Sequence, residues 1–116
     1  MADKVFLVTR ADIPDADQAV QAAHALQEFN IHCTEAARAW HATSNTLAFL
    51  TVANERALGV LLEKALVRGL PAAAFYEPDM DNEMTAIALG PAAKGLCSGL
   101  PLALSGPTPK DQASGF

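Results

Sequence analysis

Positive charge is scarce and scattered in this chain. Eight lysines and arginines stand against thirteen aspartates and glutamates, for a formal charge of −5 over 116 residues. The basic residues occur singly, at Lys4, Arg10, Arg38, Arg56, Lys64, Arg68, Lys94 and Lys110. No stretch therefore supplies the clustered cations on which affinity for a phosphate backbone rests. Cysteine is nearly absent: Cys33 and Cys97 form no CxxC motif, so free thiols are expected. Long apolar runs are missing too. MADK leads straight into VFLV, too short for a signal-peptide core or a membrane span, and a soluble cytoplasmic protein is the expectation. No Gly-x-Gly-x-x-Gly or phosphate-binding loop follows that first run, which argues against a nucleotide cofactor. Ser44, Ser98 and Ser105 stand in no nucleophile-elbow context.

What the sequence does have is apolar residues, 51% of the total, many of them alanine. A chain of this size buries roughly two-thirds of the surface its unfolded form exposes, enough for one domain without a staple. Residues 1–104 read as that domain and 105–116, polar and rich in proline, as a loose C-terminal tail. Val5–Thr9, Thr46–Val52, Pro71–Tyr76 and Met84–Leu89 read as strands. Helices are expected over Ala16–Phe29, Glu35–His41 and Asn54–Arg68, with Asp15 and Asn54 as N-caps and Gly69 as a stop. A further helix opens at Gly90-Pro91, and Leu100–Leu104 returns to the sheet. Helical crossovers imply parallel neighbours among the first three strands, and the short acidic loop 77–83 implies an antiparallel last pair. The fold class is α/β: a three-layer α/β/α sandwich around a four-stranded mixed sheet whose last strand runs antiparallel.

At helical spacing, Ala19, Ala22, Ala23, Leu26 and Phe29 share one face of the first helix, and Asp17, Gln21, His24 and Glu28 the other. Such a stripe is either a solvated face or the wall of a cleft, with His24 moving a proton and Gln21 orienting it. His24, His32, Cys33 and His41 lack the paired spacings of a zinc site. The oxygen-rich loop from Glu77 to Glu83 lacks the central glycine of a calcium loop and reads as a solvated hairpin tip.

Lys4-Val-Phe-Leu-Val-Thr-Arg10-Ala-Asp12, followed by Ala19-Val-Gln21-Ala-Ala-His24-Ala25, resembles the opening of type II peptidyl-tRNA hydrolases: a strand ending in Arg-x-Asp, then a helix with Gln-x-x-His-Ala. Leu70-Pro71-Ala72 to Tyr76, the acidic loop and Thr85-Ala-Ile-Ala-Leu-Gly90-Pro91 resemble the family's closing hairpin, and in element order the likeness covers residues 4 to 104.

The resemblance implies hydrolysis of the ester that joins a stalled peptide to the tRNA 3′ ribose, without metal or covalent cofactor. It also implies a lysine early in the first helix region, an aspartate ending strand three and a threonine just beyond. The lysine position falls here on Asp17, the aspartate position on Glu77 or Asp79, and no threonine lies in the loop; Thr85 belongs to the next strand. A carboxylate in place of the lysine would repel a tRNA phosphate. The candidate catalytic residues are therefore His24, Glu77 and Asp79, with Arg10, Gln18, Gln21, Asn82 and Thr85 as substrate contacts. The partners expected are peptidyl-tRNA or a related ester and a second copy of the chain, since small α/β domains with apolar edges pair readily; no membrane is involved. The competing reading is a catalytically silent binding or regulatory module on the same fold.

Overall fold

A computed structural model describes residues 3–105. The tail expected over 105–116 lies, past Ser105, outside the described residues. In chain order the elements are β1 (Lys4–Arg10), α1 (Asp15–His32), α2 (Thr34–Thr43), β2 (Thr46–Val52), α3 (Glu55–Val67), β3 (Ala72–Glu77), β4 (Glu83–Leu89) and α4 (Lys94–Cys97). Short 3₁₀ turns occupy Pro78–Met80 and Pro91–Ala93.

The four strands form one sheet in the order β2-β1-β4-β3. β1 runs parallel to β2 and antiparallel to β4, and β4 runs antiparallel to β3. The first three strands thus point the same way, but β3 has no parallel neighbour, because β4 lies between it and β1. Burial explains the insertion. Ala86, Ile87, Ala88 and Leu89 are wholly inaccessible, so β4 needs strand neighbours on both sides and helices on both faces, whereas β3 tolerates an edge.

Alternation along β1 separates two cores. Val5 and Leu7 face α1 and α2, in a cluster with Ala22, Ala25, Phe29 and Trp40. Phe6 and Val8 face α3 and α4, with Leu58, Leu61, Ala65 and Cys97. The result is the expected α/β/α sandwich.

The helices differ from expectation in detail. α1 continues to His32 rather than breaking at Asn30, since nothing in Asn30-Ile31-His32 is a glycine or proline and the chain turns only at Cys33. Its first helical residue is Asp15, with Pro14 before it in extended geometry. Asn54 caps α3 by accepting from the Ala57 N–H at 3.0 Å, and Gly69 turns the chain out of it at a φ of +68°. Trp40 anchors α2, its indole N–H donating to the Thr46 carbonyl at 2.7 Å. The segment after α4 returns to the outer edge of β2: Thr51 N–H donates to Pro101 O at 3.0 Å and Ala103 N–H to Phe49 O at 2.9 Å.

Candidate functional site

The site lies where the carboxyl ends of β1 and β3 meet the first half of α1, and a β-bulge makes it. Across the β3–β4 ladder Phe75 pairs with Ala86 and Tyr76 with Met84, which leaves Thr85 as an extra residue on β4. An extra residue shifts the alternation by one step. Ala86 faces α1 and Met84 faces α3, while Thr85 turns toward α1 and donates its hydroxyl to Gln21 Oε1 at 2.7 Å. The Thr85 carbonyl accepts from the Thr9 hydroxyl at 3.0 Å. Both threonines are fully buried.

That contact fixes the Gln21 amide. With its oxygen occupied by a hydroxyl donor, its nitrogen faces Glu77 and lies 3.3 Å from Oε1. An ionised carboxylate is an acceptor only, so the opposite amide orientation would set oxygen against oxygen. Gln21 is only 4% exposed. The face of α1 that meets the sheet therefore carries Gln18, Gln21, Ala22, Ala25 and Phe29, whereas Ala19 and Ala23 are exposed. This corrects the division into an alanine face and a polar face. An alanine loses little by facing water, while each of these glutamines finds a hydrogen bond beneath the helix.

His24 stands one turn after Gln21, half-buried, and lies flat on Phe75 with ring centroids 4.4 Å apart and planes inclined by 16°. Since Gln21 meets Glu77 and His24 meets Phe75, the imidazole and the carboxylate share the α1 side of the sheet. Asp79 is exposed on the turn Pro78–Met80. Asp81 and Asn82 follow in left-handed geometry, at φ 55° and 59°, a conformation that Asp and Asn tolerate better than most residues. The Asn82 N–H donates to the Glu77 carbonyl at 2.9 Å, which draws the loop tight over the end of β3.

Arg10 is 7% exposed and its fork is occupied by the protein. Nε and one terminal nitrogen donate to the two oxygens of Asp12 at 2.9 and 3.0 Å. The other terminal nitrogen reaches Glu83 at 2.6 Å and the Met84 carbonyl at 3.3 Å. The bond to Asp12 is the largest effect raising the guanidinium's affinity for its proton, and it holds the Asp12 carboxyl below its usual range. Glu83 stands opposite Glu77 in the β3–β4 register. Two facing carboxylates repel, and the site separates them by giving Arg10 to one and Gln21 to the other. Gln18 is also buried: its amide nitrogen donates to the Ile13 carbonyl at 2.8 Å, and its oxygen has no partner among the described residues.

Of the residues named from sequence, Gln21, Glu77 and Thr85 form one hydrogen-bonded chain, with His24 beside it. Arg10 and Gln18 are buried next to it, and Asp79 and Asn82 form its outer lip. Sequence reasoning missed Thr9, whose hydroxyl steadies the bulge, and Glu55, whose carboxylate accepts the Met84 N–H at 2.7 Å. An unbroken run of Met84–Leu89 carries no mark of a bulge. The Arg10-x-Asp12 spacing was the one visible signal that Arg10 has a local partner.

The charge at this end of the sheet is negative. Asp12, Asp15, Asp17, Glu77, Asp79, Asp81 and Glu83 surround the carboxyl ends of β1 and β3 and the start of α1. Two of them, Asp12 and Glu83, hold Arg10. Among the described residues no group of three His, Cys, Asp or Glu side chains could hold a metal ion, and no helix is long and apolar enough to cross a membrane.

No curated protein gives a match to the chain. The sequence model of the family described as peptidyl-tRNA hydrolase PTH2 matches residues 4–100, from the start of β1 to just past α4. With a match over most of its length, on an α/β sandwich that brings the Gln-x-x-His-Ala helix against the end of β3, the chain belongs to the type II peptidyl-tRNA hydrolase family.

Proposed function

We propose that the chain hydrolyses the ester between an acyl group and the 3′ ribose of tRNA, with Glu77 as the base that activates water. The observation that carries this reading is the Gln21–Glu77 contact at 3.3 Å. It joins the family's helix signature to a carboxylate at the strand end, where an attacking water needs a proton acceptor. One N–H of Gln21 holds Glu77, and in this reading its second N–H donates to the water or the ester oxygen. Asp79 and Asn82, on the lip, contact the ribose. His24, fixed against Phe75, returns a proton to the departing ribose oxygen. Thr85 acts only through Gln21, because it is fully buried.

The test is release of free tRNA from purified peptidyl-tRNA. Glu77→Gln is expected to lower kcat by about 10²-fold or more, in line with loss of a general base. His24→Ala is expected to cost less, and Asp79→Asn to raise KM. Undiminished turnover in a variant combining Glu77→Ala, Asp79→Ala and His24→Ala would eliminate the proposal.

A silent binding module on the same fold is the second reading. Asp17 in the lysine's position and the complete pairing of Arg10 favour it. It predicts that the unmodified chain binds acylated tRNA and leaves the ester intact.

A further inference from the structure

The register of β4 against β3 decides which face of the sheet Thr85 serves. Phe75 pairs with Ala86 and Tyr76 with Met84, and Phe75 and Ala86 belong to the core beneath α1 and α2. Were the pairing unbroken, Thr85 would stand opposite Tyr76 and, by alternation, turn its hydroxyl toward α3. The bulge turns it toward α1 instead, where it meets Gln21 Oε1 at 2.7 Å. The Gln21–Glu77 contact thus depends on a strand held one residue out of step.

A bulge disrupts the ladder where it sits, and an N–H stranded there costs its full desolvation unless it finds an acceptor. The β1–β4 pairing ends at Thr9 and Ala86. Beyond it, Met84 meets side chains: its carbonyl accepts from Arg10 at 3.3 Å, and its N–H donates to Glu55 Oε2 at 2.7 Å. Glu55 is the half-buried first residue of α3, and it reaches Met84 from the face of the sheet opposite Gln21. A bond to a carboxylate is roughly twice as strong as one to a neutral acceptor. In the unbroken register Met84 would move one place along β3, opposite Glu77, and its N–H would leave that carboxylate. The bond from Glu55 therefore favours the bulged register over the regular one.

We infer that Glu55 is a positioning residue for the hydrolytic site: by holding the Met84 N–H it keeps β4 in the bulged register, and through Thr85 and Gln21 it sets the Glu77 carboxylate. The inference rests on the hydrolase reading above and adds to it a residue on the far face of the sheet. From that face Glu55 touches neither substrate nor reacting atoms. Its influence passes along three hydrogen bonds, Met84 to Glu55 at 2.7 Å, Thr85 to Gln21 at 2.7 Å and Gln21 to Glu77 at 3.3 Å. The first two are joined by the peptide that links Met84 to Thr85.

The test measures kcat and KM for tRNA release from peptidyl-tRNA, and the Gln21 side-chain amide signal in proton–nitrogen correlation spectra, on the full chain. Glu55→Ala is expected to lower kcat about tenfold, with KM within about twofold, and to shift the Gln21 amide. Glu55→Gln keeps an acceptor oxygen for the Met84 N–H and is expected to restore both. Asn54→Ala weakens the same helix start through the Ala57 N–H, without touching Met84, and should leave kcat and the Gln21 amide as they are. Should Glu55→Ala not fold, Glu55→Asp, which draws the carboxylate back by one methylene, gives the same signs in milder form. A kcat and a Gln21 amide unmoved by loss of the Glu55 carboxylate, or a fall in kcat shared equally by Asn54→Ala, overturns the inference and leaves the hydrolase reading standing. No tRNA release from the unaltered chain overturns the hydrolase reading, and the Gln21 amide then decides the coupling to Glu55 by itself.

Discussion

Thr85 turns a hydroxyl with no solvent contact into an orientation for Gln21. Removing that hydroxyl at nearly constant volume, as in Thr85→Val, leaves Gln21 Oε1 without its buried donor. The expected cost is about 1–2 kcal/mol in stability, measured by denaturant unfolding. It should be accompanied by a fall in kcat larger than any change in KM, since the amide that holds Glu77 is released. Arg10 is fixed more firmly. Arg10→Met strips Asp12 and Glu83 of their shared cation and is expected to cost about 2 kcal/mol, moderated by the partial exposure of both acids. The thiols are the residues of least consequence for the site. Desolvation pushes Cys97 up to about 11 from an ordinary value of 9.0 and raises Cys33 as well. Iodoacetamide should therefore modify Cys97 slowly in the native chain and quickly once it is unfolded. The raised folded value also means that Cys97's contribution to stability falls as pH climbs from the unfolded value toward the folded one. At this scale the sequence named side chains that the fold brings close together, Gln21, His24 and Glu77, more readily than it told which way they face. A helical period places side chains by angle alone. The face that turns inward is chosen by partners such as the Ile13 carbonyl and Thr85, which belong to other elements.

The strands lay close to where alternation and apolar runs placed them, β2 to the residue. Their neighbours were another matter. A crossover helix implies a strand of the same direction without stating which strand slips in between, and β4 does so by virtue of the complete burial of Thr85–Leu89. The bulge at Thr85 was invisible for a related reason: it is a property of two strands in register, and no single strand encodes it. Helix ends with dedicated residues were legible, and two of them give predictions. Asn54→Ala removes the acceptor of the Ala57 N–H and should lower stability by about 1 kcal/mol. Gly69→Ala must hold a β-carbon at φ +68° with open space around it, so its cost is conformational, on the order of 1 kcal/mol. Thermal unfolding of both variants checks these values.

Across the whole molecule, acid is concentrated at one end. Acids outnumber bases around the carboxyl ends of β1 and β3, whereas at the opposite end Lys4, Arg38, Lys64 and Arg68 are interspersed with Asp3, Glu28, Glu35 and Glu63. The first turns of α1 and α3 begin with Asp15, Asp17 and Glu55, which the helix dipoles welcome. The acid limb of stability follows from Asp12. Its carboxyl is held below the ordinary 3.8, chiefly by the bond to Arg10. That support is fully present above the unfolded value and is lost as pH falls through the lower folded value. Unfolding midpoints measured between about pH 5 and pH 2 should therefore drop more steeply for the unaltered chain than for Arg10→Met.

The backbone bonds from Pro101 and Ala103 to β2 close one border of the sheet, while among the described residues β3 has a strand neighbour on one side alone. A ribbon that can be extended in only one direction cannot polymerise by adding copies end over end. A second copy meeting its twin there would complete the assembly in a single step, since each copy covers the other's open border.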